Sequence, residues 1–238
     1  MDRMDKFNFN ERYDRNFNTL CLEDQERLKI SKVVVIGLGG LGGVVCEILA
    51  RVGIGHLTLI DGDSFEPSNL NRQLLSQEDL MGVPKAKAAK KRVNAINCEV
   101  DVKYFVEYLD ETNMYEKIKN SDLVIDCLDT IEIRFILQHA ANKASIPIVS
   151  GAIAGMTGQV TTVFPGDKGY KLIYGDEAEK QSKGVETLTG NLGSCAFFVG
   201  ALQSSEALKI LLDRKDILRN KLLISDLWTN SFEIVDLI

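Results

Sequence analysis

A glycine-rich hexapeptide is the first part of this sequence that could bind a ligand. Gly37-Leu38-Gly39-Gly40-Leu41-Gly42 matches the pattern G-x-G-x-x-G, and the apolar run Lys32–Ile36 before it predicts a buried strand. In such a turn Gly37 allows a tight bend, Gly39 lets the backbone approach a phosphate, and Gly42 lets the next helix pack on the strand. The N-terminus of that helix offers unpaired N–H groups to an anion. The hexapeptide therefore predicts a nucleotide site, without distinguishing NAD, FAD and ATP.

An acidic residue stands where a ribose-binding carboxylate is expected. Asp61 follows the predicted strand His56–Ile60 and lies 24 residues after Gly37. A carboxylate at the end of the second strand of such a unit commonly accepts hydrogen bonds from ribose hydroxyls. Strand, turn, helix and acid together favour nucleotide binding over a glycine turn that serves packing alone.

Two cations then favour a triphosphate over a dinucleotide. Arg72 lies in Ser68–Gln73, close after the second strand, and Lys85 opens the predicted helix Lys85–Ile96 after Pro84. A triphosphate attacked at its α-phosphorus needs cations on its non-bridging oxygens and on the leaving pyrophosphate. The alternative for Lys85 is a solvated lysine on the basic face formed by Lys87, Lys90, Lys91 and Arg92.

A third charge follows the fourth predicted strand. Asp129 lies beyond the carboxyl end of that strand, Asp122–Ile125, where ligands of parallel sheets bind. Its carboxylate could hold Mg²⁺, which binds through one or two carboxylates plus phosphate oxygens. The alternative is that Asp129 caps the helix after Thr130. Cys127 is interpreted as a small buried apolar residue rather than a nucleophile.

The elements that must position these residues alternate between short β-branched runs and longer helical segments. This pattern predicts an α/β, Rossmann-like, mostly parallel sheet with crossover helices. Further strands are predicted at Pro147–Ser150, at Gly158–Phe164 (which alternates like an exposed strand) and near the C-terminus, where added strands are antiparallel. The remaining predictions are: helices Leu41–Val52, Glu132–Lys143 and Leu192–Leu212; strands Val100–Phe105, Lys221–Ser225 and Phe232–Ile238; a polar loop at 166–190; and one domain over 1–238.

Composition excludes several classes of protein. With 45% hydrophobic and 26% charged residues, the 238-residue chain has the balance of a soluble globular protein. Its formal net charge of −6 lowers the expectation of nucleic-acid binding through phosphates. The five cysteines have the spacing of neither a disulfide framework nor a zinc knuckle, and no apolar run predicts a signal peptide or membrane span. A cytoplasmic location is expected.

Taken together, the motifs of this chain resemble those of the ThiF/MoeB/HesA family, bacterial relatives of ubiquitin-activating enzymes. The resemblance runs from about Arg12 to the C-terminus. The motifs that carry it are Arg12-Tyr13-Asp14-Arg15, Gly37–Gly43, Leu59–Asp63, Ser68–Gln73, Gly82-Val83-Pro84-Lys85, Asp126-Cys127-Leu128-Asp129, Val149–Ala152 with Gly158-Gln159, and Gly200-Ala201-Leu202-Gln203.

The resemblance implies binding of ATP and Mg²⁺ and adenylation of the C-terminal glycine of a small ubiquitin-fold sulfur-carrier protein ending in Gly-Gly, with release of pyrophosphate. By position it implies a homodimer in which Arg15 reaches the neighbouring subunit's site, and a helical arm over 1–30. It assigns the following roles: nucleotide contacts to Gly37, Gly39, Gly40, Gly42, Asp61 and Thr130; phosphate contacts to Asn69, Arg72 and Lys85; the metal to Asp129; and catalysis to Arg15, Arg72, Lys85 and Asp129.

Two departures from the family narrow these expectations. Family members often carry two C-x-x-C pairs that bind zinc; this chain has none, so no zinc is expected. Many also carry a cysteine in the crossover loop that forms a thioester or persulfide, whereas residues 183–189 contain none. Cys195 is the nearest, and its apolar neighbours predict a buried helix thiol.

Three other functions remain open from sequence. The first is activation of a non-protein carboxylate or tRNA base, as in the tRNA threonylcarbamoyl-adenosine dehydratases that this chain also resembles in lacking the zinc. The second is an NAD-dependent oxidoreductase, which the glycine pattern alone permits. The third is a nucleotide-binding module without catalysis, disfavoured by the charges at Arg15, Arg72, Lys85 and Asp129.

Overall fold

An eight-stranded sheet forms the centre of the protein, whose computed structural model describes residues 9–176 and 189–238. The strands are β1 Lys32–Ile36, β2 His56–Ile60, β3 Asp101–Phe105, β4 Leu123–Asp126, β5 Ile148–Ala154, β6 Thr157–Val163, β7 Lys221–Asp226 and β8 Ser231–Asp236. Their order across the sheet is β3-β2-β1-β4-β5-β6-β7-β8. Strands β1 to β5 run parallel, and β6 to β8 join antiparallel, which confirms the predicted fold class.

Helices cover both faces of this sheet. They are α1 Leu22–Ile30, α2 Gly40–Val52, α3 Lys85–Ile96, α4 Met114–Ile118, α5 Ile131–Ala144, α6 Lys171–Tyr174 and α7 Gly193–Leu211. Residues of α2, α3 and α7 share one hydrophobic core with one face of the sheet, and residues of α4 and α5 share a second core with the other face. Because both faces are covered, the central strands are apolar at nearly every position.

Most element boundaries agree with the sequence predictions to within a few residues. Strand β5 is the main extension, since it continues past Ser150 to Ala154, where Gly155 turns the chain into β6. The expectation that Gly158–Phe164 is an exposed strand is wrong. Strand β6 is buried over most of its length because it lies between β5 and β7 and is covered by α7.

Two short helices were not expected from the sequence. Helix α4 has five residues, too few for a helical hydrophobic period to be visible. Helix α6 falls inside the predicted loop 166–190, of which residues 177–188 lie outside the described residues. Within the predicted arm 1–30, residues 1–8 lie outside them too, and a 3₁₀ turn at Phe9–Tyr13 and α1 follow. No helix within 9–176 and 189–238 is long and apolar enough to cross a bilayer.

Helices α2 and α7 pack closely against each other at a glycine. A Cβ built on Gly200 of α7 would lie 2.8 Å from the Cβ of Val44 and 3.0 Å from the carbonyl oxygen of Leu41. Both of those residues belong to α2. The two helices therefore approach as closely as they do only because position 200 has no side chain.

Replacing Gly200 by Ala is expected to destabilise the protein by about 1–3 kcal/mol despite the better helix propensity of Ala, because the added methyl pushes α7 off α2. Urea denaturation measures this. Ser205→Ala, at an exposed position of the same helix, is the control and should change stability by less than about 0.5 kcal/mol. Equal stability of the two variants would contradict the close packing.

Candidate functional site

The glycine turn lies where the order of the strands reverses. Strands β1 and β4 are neighbours in the sheet, although β2 and β3 intervene in sequence on the other side of β1. In open α/β sheets ligands bind at such a switch point, outside the carboxyl ends of the strands. The segments Gly37–Gly42, after β1, and Cys127–Thr130, after β4, meet there.

Backbone contacts explain why glycines are needed in this turn. Gly37 has φ of +84°, and a Cβ on it would lie 2.6 Å from the carbonyl oxygen of Cys127. A Cβ on Gly42 would lie 1.9 Å from the carbonyl oxygen of Gly37. Gly39 is the N-cap of α2 and provides no side-chain cap, so the first N–H groups of α2 are left for another acceptor. The turn thus presents bare backbone at the N-terminus of a 13-residue helix.

Asp61 ties the glycine turn to the end of β2. Its carboxylate accepts hydrogen bonds from the backbone N–H groups of Leu38 (2.6 Å) and Asp63 (2.7 Å). Burial raises the pKa of the Asp61 carboxyl, and these two bonds and the charge of Lys85 offset part of the rise. The residue lies beside the turn, as the sequence predicted from its spacing.

Lys85 is buried rather than solvated. It is 6% exposed, and its Nζ contacts Asp63 Oδ2 at 2.9 Å. Asp63 also accepts a hydrogen bond from the Tyr108 hydroxyl (2.5 Å). Partial burial raises the pKa of the Asp63 carboxyl, but the bonds from Tyr108 and Lys85 outweigh it, so the pKa is lowered. The alternative of a solvated Lys85 is therefore wrong. Lys87, on the outer face of α3, is exposed.

Arg72 and Asn69 lie on the loop that faces the start of α2. A Cβ on Gly40 would lie 3.5 Å from the carbonyl oxygen of Arg72, so this loop borders the glycine turn directly. The Arg72 Nη1 donates to the Ser68 carbonyl (2.8 Å) and to Asn71 Oδ1 (2.9 Å). Asn69 is buried, and its Oδ1 accepts from the Glu66 N–H at 3.0 Å. The oxygen of Asn69 thus holds the loop. Its Nδ2 donates to the Ser68 hydroxyl at 3.5 Å, and since an amide nitrogen carries two N–H groups, one remains for a ligand.

Asp129 is exposed just beyond β4. Its Oδ1 accepts a hydrogen bond from the Thr130 hydroxyl at 3.2 Å. The N-cap of α5 is Thr130, so the alternative that Asp129 caps this helix is wrong. The Leu128 N atom would lie 3.4 Å from a Cβ on Gly37, which places the Asp129 segment against the glycine turn.

Arg15 lies at the opposite end of the sheet from this site. The neighbouring Tyr13 accepts a hydrogen bond from Asn97 (2.9 Å), and a Cβ on Gly53 would lie 2.6 Å from its hydroxyl oxygen. Gly53 caps the C-terminus of α2, whose 13 residues span about 20 Å. Arg15 itself is exposed. The structure therefore does not bring Arg15 to the glycine turn of its own chain.

A buried polar cluster under the Asp129 segment was not predicted. Asp126 is fully buried, and its Oδ2 contacts Arg134 Nη1 (2.7 Å), the Ser150 hydroxyl (2.7 Å) and the Tyr170 hydroxyl (2.6 Å). Burial and the Asp126 carboxylate raise the pKa of Tyr170, so its hydroxyl stays protonated and donates. Arg134 also donates to the carbonyl of Leu128.

This cluster fixes the chain just before Asp129. Asp126 Oδ1 accepts a hydrogen bond from the Leu128 N–H at 2.9 Å, and Arg134 donates to the Leu128 carbonyl. The Asp126–Arg134 pair therefore holds both polar groups of the Leu128 backbone. The side chains of Asp126 and Cys127 lie on opposite faces of the sheet, because Asp126 contacts Arg134 of α5 whereas Cys127 Sγ contacts Gln203 of α7. The sequence signal for this buried pair is an arginine eight residues after a strand-ending aspartate, which is too common to be specific.

None of the three cysteines near the site or in the core is prepared as a nucleophile. Burial, reinforced by the Asp126 charge, raises the pKa of Cys127, and burial also raises the pKa of Cys46. Cys195 is fully buried, as its apolar neighbours predicted, and burial followed by the Asp226 charge raises its pKa to about 11. A raised pKa disfavours the reactive thiolate.

Comparison with known proteins agrees with this geometry. Residues 13–237 match the model of the ThiF family. The chain belongs to the ThiF family. Its sequence is 37% identical to the SAMP-activating enzyme E1 of Haloferax volcanii over 94% of this chain and 84% of that protein. It is 35% identical to the molybdopterin-synthase adenylyltransferase of Haemophilus influenzae over 90% of this chain and 89% of that protein.

Solved structures resemble this ThiF-family chain along almost its whole length. The crystal structure of selenomethionine PaaA has a TM-score of 0.80 and 25% identity, covering 100% of this chain and 76% of that one. That of Escherichia coli MccB with ATP has a TM-score of 0.79 and 25% identity, covering 95% of this chain and 71% of that one. The eight-stranded sheet and its switch point are therefore an arrangement found in other proteins.

The buried ion pair between Arg134 and Asp126 should contribute strongly to the stability of this ThiF-family protein. Arg134→Met leaves the Asp126 charge buried without its partner and should cost about 3–5 kcal/mol. The control is Arg51→Met, which removes an exposed arginine paired with Glu47 and should cost no more than about 1 kcal/mol. Urea denaturation at neutral pH compares them. A cost for Arg134→Met no larger than for the control would show that the pair does not hold the Leu128 segment.

Proposed function

We propose that this protein is an ATP-dependent adenylyltransferase that activates the C-terminal glycine carboxylate of a small ubiquitin-fold carrier protein of the sulfur-carrier type. A carboxylate oxygen of the carrier attacks the α-phosphorus of ATP, the bond from that phosphorus to the bridging oxygen of the β-phosphate breaks, and pyrophosphate leaves with the bond electrons. The product is an acyl-adenylate. The observation that carries the proposal is a buried lysine at a helix start, on the same side of the sheet as a bare glycine turn and the Asp61 carboxylate that is bonded to it.

The position of the nucleotide follows from the groups that surround the turn. Asp61 offers a carboxylate to the ribose while its oxygens stay fixed by the Leu38 and Asp63 N–H groups. The phosphates then lie at the N-terminus of α2, where the free N–H groups and the helix dipole attract anions.

Cations stabilise the charge that develops during the displacement. Lys85 lies at the first position of α3, so its ammonium adds to the dipole of a second helix N-terminus. Arg72 uses Nη1 for its loop contacts, and a guanidinium has further N–H donors for the phosphates. The carboxylate attacks without losing a proton, so charge neutralisation and in-line positioning are the tasks of the site. His56 is no candidate for a general base here, because it starts β2 and therefore lies at the amino ends of the parallel strands, whereas the site lies at their carboxyl ends.

Asp129 is the group proposed to hold Mg²⁺. Its carboxylate is exposed and has one neutral hydrogen-bond donor, Thr130, which suits an ion that keeps waters and phosphate oxygens in its shell. Within the described part of the chain no three acidic, histidine or cysteine side chains gather to hold a metal by themselves. When bound, Mg²⁺ would neutralise part of the negative charge of the phosphates.

A homodimer in the cytoplasm completes the proposal. Arg15 is exposed and lies about one helix length from its own glycine turn, which favours a role in the site of a second copy. The negative net charge makes a nucleic-acid substrate less suitable than a protein carrier. The raised pKa values of Cys46, Cys127 and Cys195 support adenylation rather than a thiolate transfer on these residues.

ATP–pyrophosphate exchange tests the site. Exchange is expected only when a carrier ending in Gly-Gly is supplied. Arg72→Ala, Lys85→Ala and Asp129→Ala should each reduce it by about 100-fold or more, because each removes a charge that stabilises the transition state. Lys87→Ala, exposed on the same helix as Lys85, is the matched control and should retain exchange. Unchanged exchange in all three site variants would reject the assignment.

Complementation tests the role of Arg15. Arg15→Ala and Lys85→Ala variants should each be inactive alone. If Arg15 serves the partner's site, a mixed dimer has one site with both side chains, and an equal mixture allowed to exchange subunits should regain about a quarter of the wild-type exchange rate. No recovery, despite mixed dimers detected by native mass spectrometry, would contradict the crossing of Arg15 between subunits.

A further inference from the structure

Gln73 is a buried side chain whose bonding is incomplete. It is 6% exposed, and its Oε1 has no hydrogen-bond partner among the described residues. Its backbone is fully engaged, because its N–H donates to Asn69 (2.9 Å) and its carbonyl accepts from the Ser76 hydroxyl (2.7 Å). The residue is therefore held rigidly while its amide oxygen is left without a donor. Leaving a buried amide oxygen without a partner costs folding free energy.

Other buried glutamines show what a purely structural role requires. Gln25 is also 6% exposed, and its amide donates to Val52 (2.8 Å) and accepts from Asn16 (3.0 Å). Gln203 is fully buried, donates to the Asp126 carbonyl (2.7 Å) and accepts from Cys127 (3.7 Å). Both ends of each of these amides are bonded. Gln73 differs from them in its bonding and not in its depth.

The Gln73 carboxamide points at the glycine turn. A Cβ built on Gly39 would lie 3.5 Å from Gln73 Nε2 and 3.8 Å from Gln73 Cδ, and these are the nearest atoms to that position. Gly39 is the N-cap of α2 and gives that 13-residue helix no side-chain cap. The donor Nε2 of Gln73, rather than its unpartnered Oε1, therefore faces the same space as the uncapped N–H groups of α2, and donors on both sides suit an acceptor such as a phosphate oxygen.

We propose that Gln73 is a phosphate-binding residue, whose Nε2 donates a hydrogen bond to the nucleotide phosphate that lies on the N-terminus of α2. This inference rests on the proposed function for the presence of a nucleotide at the turn. An amide nitrogen has two N–H donors and no charge. It therefore adds a directional hydrogen bond to those of the α2 backbone and does not neutralise the cationic side chains of the site. The adjacent Arg72 lies on the same loop, so one segment supplies both a neutral and a charged group to the phosphates.

Three variants separate this role from a structural one. Gln73→Met keeps the length of the side chain and removes its polar end, Gln73→Glu places a negative charge at the phosphates, and Gln25→Met is the control at equal depth. We expect Gln73→Met to melt, without ligand, at the wild-type temperature or above it, because the unsatisfied oxygen is gone. Gln25→Met should melt lower, because it strands the partners of a fully bonded amide.

Calorimetric titration with ATP and with adenosine measures the contact. Gln73→Met should raise the Kd for ATP by about 10-fold, and Gln73→Glu by more, with the Kd for adenosine unchanged in both. Gln25→Met should leave the Kd for ATP unchanged. If the wild-type protein does not bind ATP, the proposed function fails together with this inference. If the wild type binds ATP and Gln73→Met binds it equally well, or loses ATP and adenosine affinity alike, only the role of Gln73 is overturned.

Discussion

The close approach of backbone to backbone at the glycine turn is the constraint on which the rest of the site depends. The carbonyl of Gly37 lies where a side chain of residue 42 would be, and the carbonyl of Cys127 lies where a side chain of residue 37 would be. Strands β1 and β4 can therefore open onto one crevice with the N-terminus of α2 between them. Every charged group of the site is positioned relative to that helix start.

Two layers of charge surround this crevice and differ in purpose. Asp61, Asp63 and Lys85 contact one another or the turn directly, at the carboxyl ends of the strands. Asp126 and Arg134 are sealed below and act on the backbone, since they hold the two polar groups of Leu128. The exposed Asp129 owes its position to the second layer.

Local patterns were sufficient to predict much of this arrangement. The buried strands, the glycine turn, Asp61 at the end of β2 and the start of α3 at Lys85 each follow from a few adjacent residues, because strand burial, tight turns and helix starts are decided locally. The parallel part of the sheet followed from the alternation of strands and helices. The roles of Asn69, Arg72 and Asp129 toward phosphates and metal stay predictions.

Contacts between distant segments were not predictable in the same way. The Tyr108–Asp63 and Tyr170–Asp126 bonds join residues 45 and 44 positions apart, and nothing in the spacing of single residues identifies such partners. The burial of Lys85 belongs to this group too. Its contact with Asp63 holds the ammonium in place before any nucleotide arrives. Lysine side chains lose up to about 2 kcal/mol of rotamer entropy when fixed, and here that entropy is lost when the chain folds rather than at the encounter with the ligand.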